Sequence, residues 1–585
     1  MTDIPGDSRS RFAALRGHRA LAIAAGVVAV LWSAWLSASA PLQTPAPAAP
    51  PVRPPDQEAF NKALAIKDPG DQIAAIIAYA EAFPDSETVY FAAARGMHTL
   101  ADADKDDTTR LRPFILKIED VMAKAAMPYR RADVYYNIAY RLVNRRLLVP
   151  DALRLAEKSV PLLDEQEYID IRHKAHDARE ASLTTRTPTR TPELFQAAEA
   201  VDEFRGIRAN HLSTLGRAYL LAGRPSDAEK ALRASYELFP VMETGMALAD
   251  MREEAGEDAE ALEFAMAAEL TGKMTPVERA TLERLFAKLH GGSTADLAAT
   301  LDARFRATHP NPVSVAPYVP TPARTGHVAL AELFTGQACI PCVSVDLSIE
   351  AALERYTRKD VALLVYHIHA PEPDPLSNMS VEDRCHYYDL NYAPTVYLDG
   401  HKAETGEGGP TFARQVSRTI DGLIDARLEV PADADLEVRA SLSGSVVHAS
   451  ATGRGIAGAG RTLRLQIAVV EVEVSYSGAN GLRFQPMVVR DLAGDAPAKG
   501  FVVGAAAPIT KSVEFNLAAI TADNLAYYDW YKADLKQRTN GAVEASFRDQ
   551  KHVMNPDRLA VVAFLQDETT KTVLQAAYVG VTPSR

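Results

Sequence analysis

The sequence predicts a multidomain chain: an N-terminal transmembrane helix, an all-α helical-repeat region, an α/β domain and a C-terminal all-β sandwich. Three observations carry that expectation. An uncharged stretch lies near the N-terminus, apolar residues then recur every three or four positions to about residue 307, and beyond a proline-rich break the spacing shortens to the alternation of strands. At 585 residues the chain exceeds what one core supports. Its 47% apolar and 24% charged content is that of folded protein. The net charge of −13 excludes a general nucleic-acid binder, which needs basic surface to meet phosphates.

The N-terminal elements follow from charge and length. Residues 1–19 carry Arg9, Arg11, Arg16 and Arg19 and are expected to stay in the cytoplasm. Residues 20–40, ALAIAAGVVAVLWSAWLSASA, would cover roughly 30 Å as a helix, enough to cross a bilayer. Trp32 and Trp35 lie near the far end, where aromatic rings favour the interface. The rival reading is a cleaved signal peptide, because Ala38-Ser39-Ala40 resembles a processing site. Pro41, just after that cut, opposes cleavage. Both readings put the rest of the chain outside the cytoplasm. Residues 41–56, rich in proline, would hold the next domain off the membrane as an extended spacer.

Residues 57–307 read as helix throughout. Within them, HLSTLGRAYLLAGRPSDAEKALRASYELFP places Leu215, Gly216, Tyr219, Gly223, Ala228, Leu232 and Pro240 at the spacings of a tetratricopeptide repeat. The segment resembles that family, in which small residues let paired helices pack closely. A shift of 33 residues gives a weaker echo at Leu248, Gly256, Ala261 and Ala265. The resemblance implies an α-solenoid, which either takes a protein partner in its groove or serves as a plain helical spacer.

Residues 308–325 form a second proline-rich linker. In residues 326–429 the runs HVALAEL, VALLVYHIH and TVYLDG read as strands, with helices at about 344–356, 381–390 and 411–427; that alternation indicates an α/β domain. Residues 430–585 hold the alternating runs DLEVRASL, SVVHASATG, RTLRLQIAVVEVEVSY, KSVEFNL, LAVVAFLQ and VLQAAYVGV, expected as an antiparallel β-sandwich with an irregular insert at 527–547.

The chemistry rests on the cysteines. Of the three, Cys339 and Cys342 form one C-x-x-C and Cys385 stands alone, far too few for a disulfide scaffold. The pair follows an expected strand and opens a helix near Val343. That placement is expected to expose Cys339 at a helix N-terminus, where unpaired N–H groups stabilise a thiolate. Cys342, about a turn further in, is placed to resolve a mixed disulfide. Pro341 suits the first helical turn.

On these residues, with Ala393-Pro394-Thr395 leading into a strand, residues 327–427 resemble the thioredoxin superfamily. AELFTGQACIPC, DPLSN and NYAPTVYLDG, with the later RFQPMVVRDL and VAFLQDETTKTVLQAA, look closer to an exported bacterial branch with a trailing β-sandwich. The resemblance runs from about residue 326 to the C-terminus. It implies that Pro394 is a cis-proline holding the substrate backbone beside the sulfurs. It also implies a buried acid six residues before the first cysteine; here Glu332 stands seven before Cys339, so a bulge is needed to give it that role. The Ile-Pro dipeptide leaves the direction of electron flow open.

The implied function is a membrane-anchored thiol–disulfide oxidoreductase, in a bacterial inner membrane and facing the periplasm, acting on envelope proteins with thiols or disulfides. No cofactor is expected. The alternative is an envelope protein-binding scaffold with a static disulfide. A metal site built from His367, His369 and Cys385-His386 with the pair is the weakest reading, since the spacings match no common ligand pattern.

Overall fold

The computed structural model describes residues 55–104, 108–186, 194–390, 392–456, 461–494, 500–503, 508–541 and 543–583. The apolar stretch at 20–40 lies outside them; among the described residues no helix is long and apolar enough to cross a membrane. Two compact units are present. One takes the described part of Ser37–Glu269 with Glu278–Thr294, and the other takes Leu270–Val277 with the described part of Ala295–Arg585. The first is helical and the second is built on sheets, as the periodicity implies.

In the helical unit, prolines open several helices: Pro69–Ala82, Pro128–Arg145, Val149–Ser159 and Pro225–Leu238 each carry one in the first turn, where the missing N–H costs nothing. Gly223 and Gly256, 33 positions apart, both adopt positive φ just past the ends of Ala197–Leu221 and Met242–Glu254. Each lets the chain reverse into the next helix without a Cβ clash. Gly216 lies where the first such pair touches: a Cβ there would sit 2.6 Å from Leu232 Cγ. Ala228 and Leu232 across from it are fully buried.

In the second unit the first four strands are β1 (Ala329–Thr335), β2 (Val361–His367), β3 (Thr395–Leu398) and β4 (His401–Ala403). They lie in the order β2-β1-β3-β4, with β1 parallel to β2 and antiparallel to β3. The Val343–Arg355 helix makes the crossover from β1 to β2, and Ala413–Leu428 follows β4. β1 and β2 are buried along their whole length, which suits strands covered on both faces.

The chain continues as β5 (Asp435–Ser443), β6 (Val446–Arg454), β7 (Leu463–Ser475), β8 (Phe484–Ala493), β9 (Phe501–Val503), β10 (Ile509–Asn516), β11 (Leu559–Asp567), β12 (Val573–Gly580) and β13 (Thr582–Pro583). Strands β12-β11-β7-β8 extend the first sheet beyond β2, while β10-β6-β5-β13 form a second sheet. Val438, Val447 and Phe515 of the second sheet share one core with Ile467, Val469, Val561 and Ala563 of the first. The boundary expected at 429/430 therefore separates no sheet: β8 joins β2 at Val365↔Val488. The expected irregular insert is in large part a helix, Leu517–Arg538. Asn516 caps it by accepting from the Ala518 and Ala519 N–H groups, and Tyr527, Tyr528 and Tyr531 bury one face.

Candidate active site around Cys339 and Cys342

The end of β1 sets the site. At Gly336 the chain passes so close to the loop after β2 that a Cβ would meet Ala370 O at 2.5 Å. The Cys339 N–H then bonds Gly336 O at 3.0 Å, and Cys339 is joined to Cys342 by a disulfide. Cys342 occupies the N-cap position of the Val343–Arg355 helix.

Three segments hold this turn. Ser344 donates its N–H to Gly408 O at 3.0 Å, and Gly408 donates to Pro341 O at 2.8 Å. Gln337 donates its N–H to Asp374 Oδ2 at 2.7 Å. The β7–β8 hairpin loop closes the third side, with the Asn480 N–H on Gln337 O at 2.9 Å and the Ala479 N–H on Gln337 Oε1 at 3.0 Å.

This clamping corrects one expectation. Cys339 is 4% exposed and Cys342 0%, while Ile340 between them is 55% exposed. A single helix terminus would leave Cys339 in water; the surrounding loops draw it in and leave the Ile340-Pro341 tip outside. The Ala393–Pro394 bond is cis. Pro394 lies one step beyond the Phe334↔Thr395 pair of the β1–β3 ladder, beside the point where β1 enters the cysteine turn.

Glu332 is placed differently from the expectation. Alternation along β1 puts residues 332 and 335 on opposite faces of the sheet. Thr335 faces the cysteine helix, where its hydroxyl donates to Asp346 Oδ2 at 3.0 Å. Glu332 faces the Met379–Tyr388 helix and accepts from Arg384 Nε and Nη2 at 2.8 and 2.9 Å. Tyr366 and Tyr388 hydroxyls add bonds of 3.0 and 2.6 Å, and Arg384 reaches Gln566 of β11 at 3.1 Å. Glu332 is thus the counter-ion of a buried arginine, turned away from the sulfurs.

The carboxyl on the cysteine side is Asp346. Its N–H bonds Cys342 O at 2.9 Å, and four residues along a helix brings the two side chains to one face. Burial pushes the Asp346 carboxyl up to about 7, with the Thr335 bond and His367 opposing and Asp374 and Glu350 reinforcing. Beside it, His367 Nδ1 lies 3.0 Å from Asp374 Oδ2 in full burial. Burial works against the Asp374 charge, but His367 and two backbone N–H groups outweigh it and hold the carboxyl below its ordinary range. The other ring nitrogen of His367, Nε2, is buried without a partner among the described residues. Asp346 and Asp374 escaped the sequence reading, although the i+4 step from Cys342 to Asp346 was available to it.

The histidines do not share a strand face. β2 ends at His367, and His369 in the loop beyond accepts from the Asp374 N–H at 2.8 Å and meets Tyr527 OH at 2.8 Å. Among the described residues no group of three or more His, Cys, Asp or Glu side chains is placed to hold a metal ion. Cys385 stands outside the disulfide, half-buried against the core around β1 and β3.

No protein-family model matches the chain, and no curated protein matches it. Among solved structures, HBP35 of Porphyromonas gingivalis is similar at 15% identity over 44% of this chain and 78% of that one, with a TM-score of 0.32.

Proposed function

We propose that residues 326–429 are a thioredoxin-type domain and that Cys339 and Cys342 exchange electrons with the thiols and disulfides of envelope proteins. The observation that carries this reading is the placement of the pair: a disulfide at a helix N-terminus, directly after a central strand, with proline-led β3 beside it. The strand order β2-β1-β3-β4 with flanking helices supports the same assignment.

In the reducing direction, the Cys339 thiolate attacks a substrate disulfide, forming a mixed disulfide and releasing one substrate thiolate. Cys342 then loses its proton to the Asp346 carboxylate and attacks Cys339 Sγ. The intramolecular disulfide forms, the second substrate thiolate leaves, and two electrons have passed to the substrate. Run backwards, the same steps oxidise a dithiol. A carboxyl that ionises near 7 is suited to accept and return that proton at neutral pH. The test is trapping: Cys342→Ser should accumulate mixed disulfides through Cys339, and Cys339→Ser should accumulate none.

A second reading, a scaffold with a static disulfide, is favoured by the burial of both sulfurs. It predicts no trapping by either variant and no reaction with a mild dithiol. In both readings the chain is held at the periplasmic face of an inner membrane by residues 20–40, and the helical unit takes a protein partner. Mature protein should keep its N-terminus and stay with membranes after alkaline washing; soluble protein beginning near residue 41 would contradict the anchor.

A further inference from the structure

One face of the Pro128–Arg145 helix is lined by tyrosines around a carboxyl. Val134, Ile138, Leu142 and Val143 bury the core side. Tyr129, Asp133, Tyr136, Asn137 and Tyr140 recur at steps of three and four along another face, and all are half-buried. Neighbouring helices wall this stripe. Tyr129 lies 5.3 Å from the Tyr168 ring, and Tyr136 stacks on His211 at 4.3 Å with the planes 11° apart. Tyr140 donates to Glu243 Oε1 at 3.2 Å. Tyr90, at the start of the Val89–Asp104 helix, faces the same carboxyl: the Asp133 charge adds to burial in raising the Tyr90, Tyr129 and Tyr136 hydroxyls.

At the centre is a carboxyl with too little holding it. The one side-chain hydrogen bond to Asp133 among the described residues comes from Asn137 Nδ2 at 3.1 Å. The nearest cation on its own helix, Arg130, turns its guanidinium to Glu87 at 3.3 Å. Other cations around the stripe are engaged, Arg172 with Glu203 at 2.8 Å and Arg217 with Asn144 at 2.6 Å. Burial pushes Asp133 up to about 6 in spite of Arg130 and Asn137. His211, 2% exposed, is driven down to about 3 by burial, and its Nδ1 has no partner among the described residues. The stripe therefore carries a carboxylate without a bonded cation among the described residues, a buried ring nitrogen without a partner among them, and tyrosine rings. A desolvated carboxylate without a bonded cation is costly, and aromatic faces attract cations.

We propose that this face binds the lysine or arginine side chain of an extended polypeptide, with Asp133 as counter-ion and Tyr90, Tyr129 and Tyr136 as walls. The site does not depend on the cysteine chemistry. Its charge logic fixes a pH dependence. Asp133 is ionised above about 6 and neutral below, whereas the bound side chain and Arg130 stay charged, so affinity falls as pH drops through that range.

The test is calorimetric titration of the full chain with three capped nine-residue alanine peptides that carry a central lysine, arginine or norleucine. The lysine or the arginine peptide should bind saturably with one site, and the norleucine peptide about tenfold or more weaker. Asp133→Asn, which keeps the side-chain shape, should lose about tenfold for the cationic peptide while its helical circular dichroism is unchanged. The wild-type preference should shrink at pH 5. Asp202→Asn, an exposed acid of the same unit, should bind as wild type does. Absence of saturable binding by both cationic peptides, equal binding of norleucine, an unaffected Asp133→Asn, or an equal loss in Asp202→Asn would each overturn the proposal.

Discussion

Replacing Asp346 by Asn separates a proton-carrying carboxyl from a merely structural one. In the folded protein burial holds this group at about 7, against an ordinary 3.8. The unfolded chain has lost the proton by pH 5 while the folded chain keeps it to about 7, so folding takes up a proton across that interval. Stability from this group is full below about 3.8, falls as pH rises, and levels off above 7. Integrating between pH 5 and pH 8 gives a loss of about 2.5 kcal/mol for the wild type that the Asn variant lacks. Asn retains an acceptor for the Thr335 hydroxyl, which bonds the wild-type carboxylate at 3.0 Å, so packing is kept. For a unit of this size the difference corresponds to about 4 °C in Tm. Thermal unfolding of both oxidised proteins at the two pH values reads it directly. The variant should be the more stable at pH 8, with a smaller advantage at pH 5. Parallel pH profiles would refute the claim that this carboxyl is protonated in the native site near neutrality.

Three further outcomes follow from buried contacts. Glu332→Gln leaves the Arg384 guanidinium without its counter-ion in full burial and should cost about 3–5 kcal/mol by denaturant titration; a loss under about 1 kcal/mol would show that Tyr388 and Gln566 suffice. Ala228→Phe forces a ring into the contact where Gly216 and Leu232 already meet and should cost about 1–3 kcal/mol, so a fully tolerated change would contradict the close helix pairing. Gly336→Ala brings a Cβ to 2.5 Å from Ala370 O, so it should destabilise the cysteine turn and speed reduction of the disulfide by a small dithiol, measured by alkylation.

What could be read from the chain alone was what local spacing encodes. The strands at 329–335 and 361–367 and the start of the helix after Cys342 follow from apolar runs and from Pro341. The helix reversals at Gly223 and Gly256 follow from glycine 33 residues apart. What escaped depends on distant partners. Leu517–Arg538 mixes tyrosine with charged residues and has no clean stripe, and Tyr527 finds its hydrogen bonds at His369 and Glu382, more than 100 residues away. The join of β2 to β8 runs through Val365 and Val488, a pairing with no local signal. The burial of Cys339 comes from Asn480 and Gly408 closing on its turn. Glu332 was legible as buried but not as facing the other way; parity along β1, counted from Thr335, decides that.

If the Cys339–Cys342 disulfide is a redox couple, its reduction potential lies within reach of other dithiols. That potential is obtained by equilibrating the full chain in glutathione and dithiothreitol buffers and counting alkylated thiols by mass. A value between about −270 and −120 mV, the range of exchanging dithiols, is expected. A value below about −300 mV, with the bond resisting glutathione, would contradict it and leave the pair as a static cross-link.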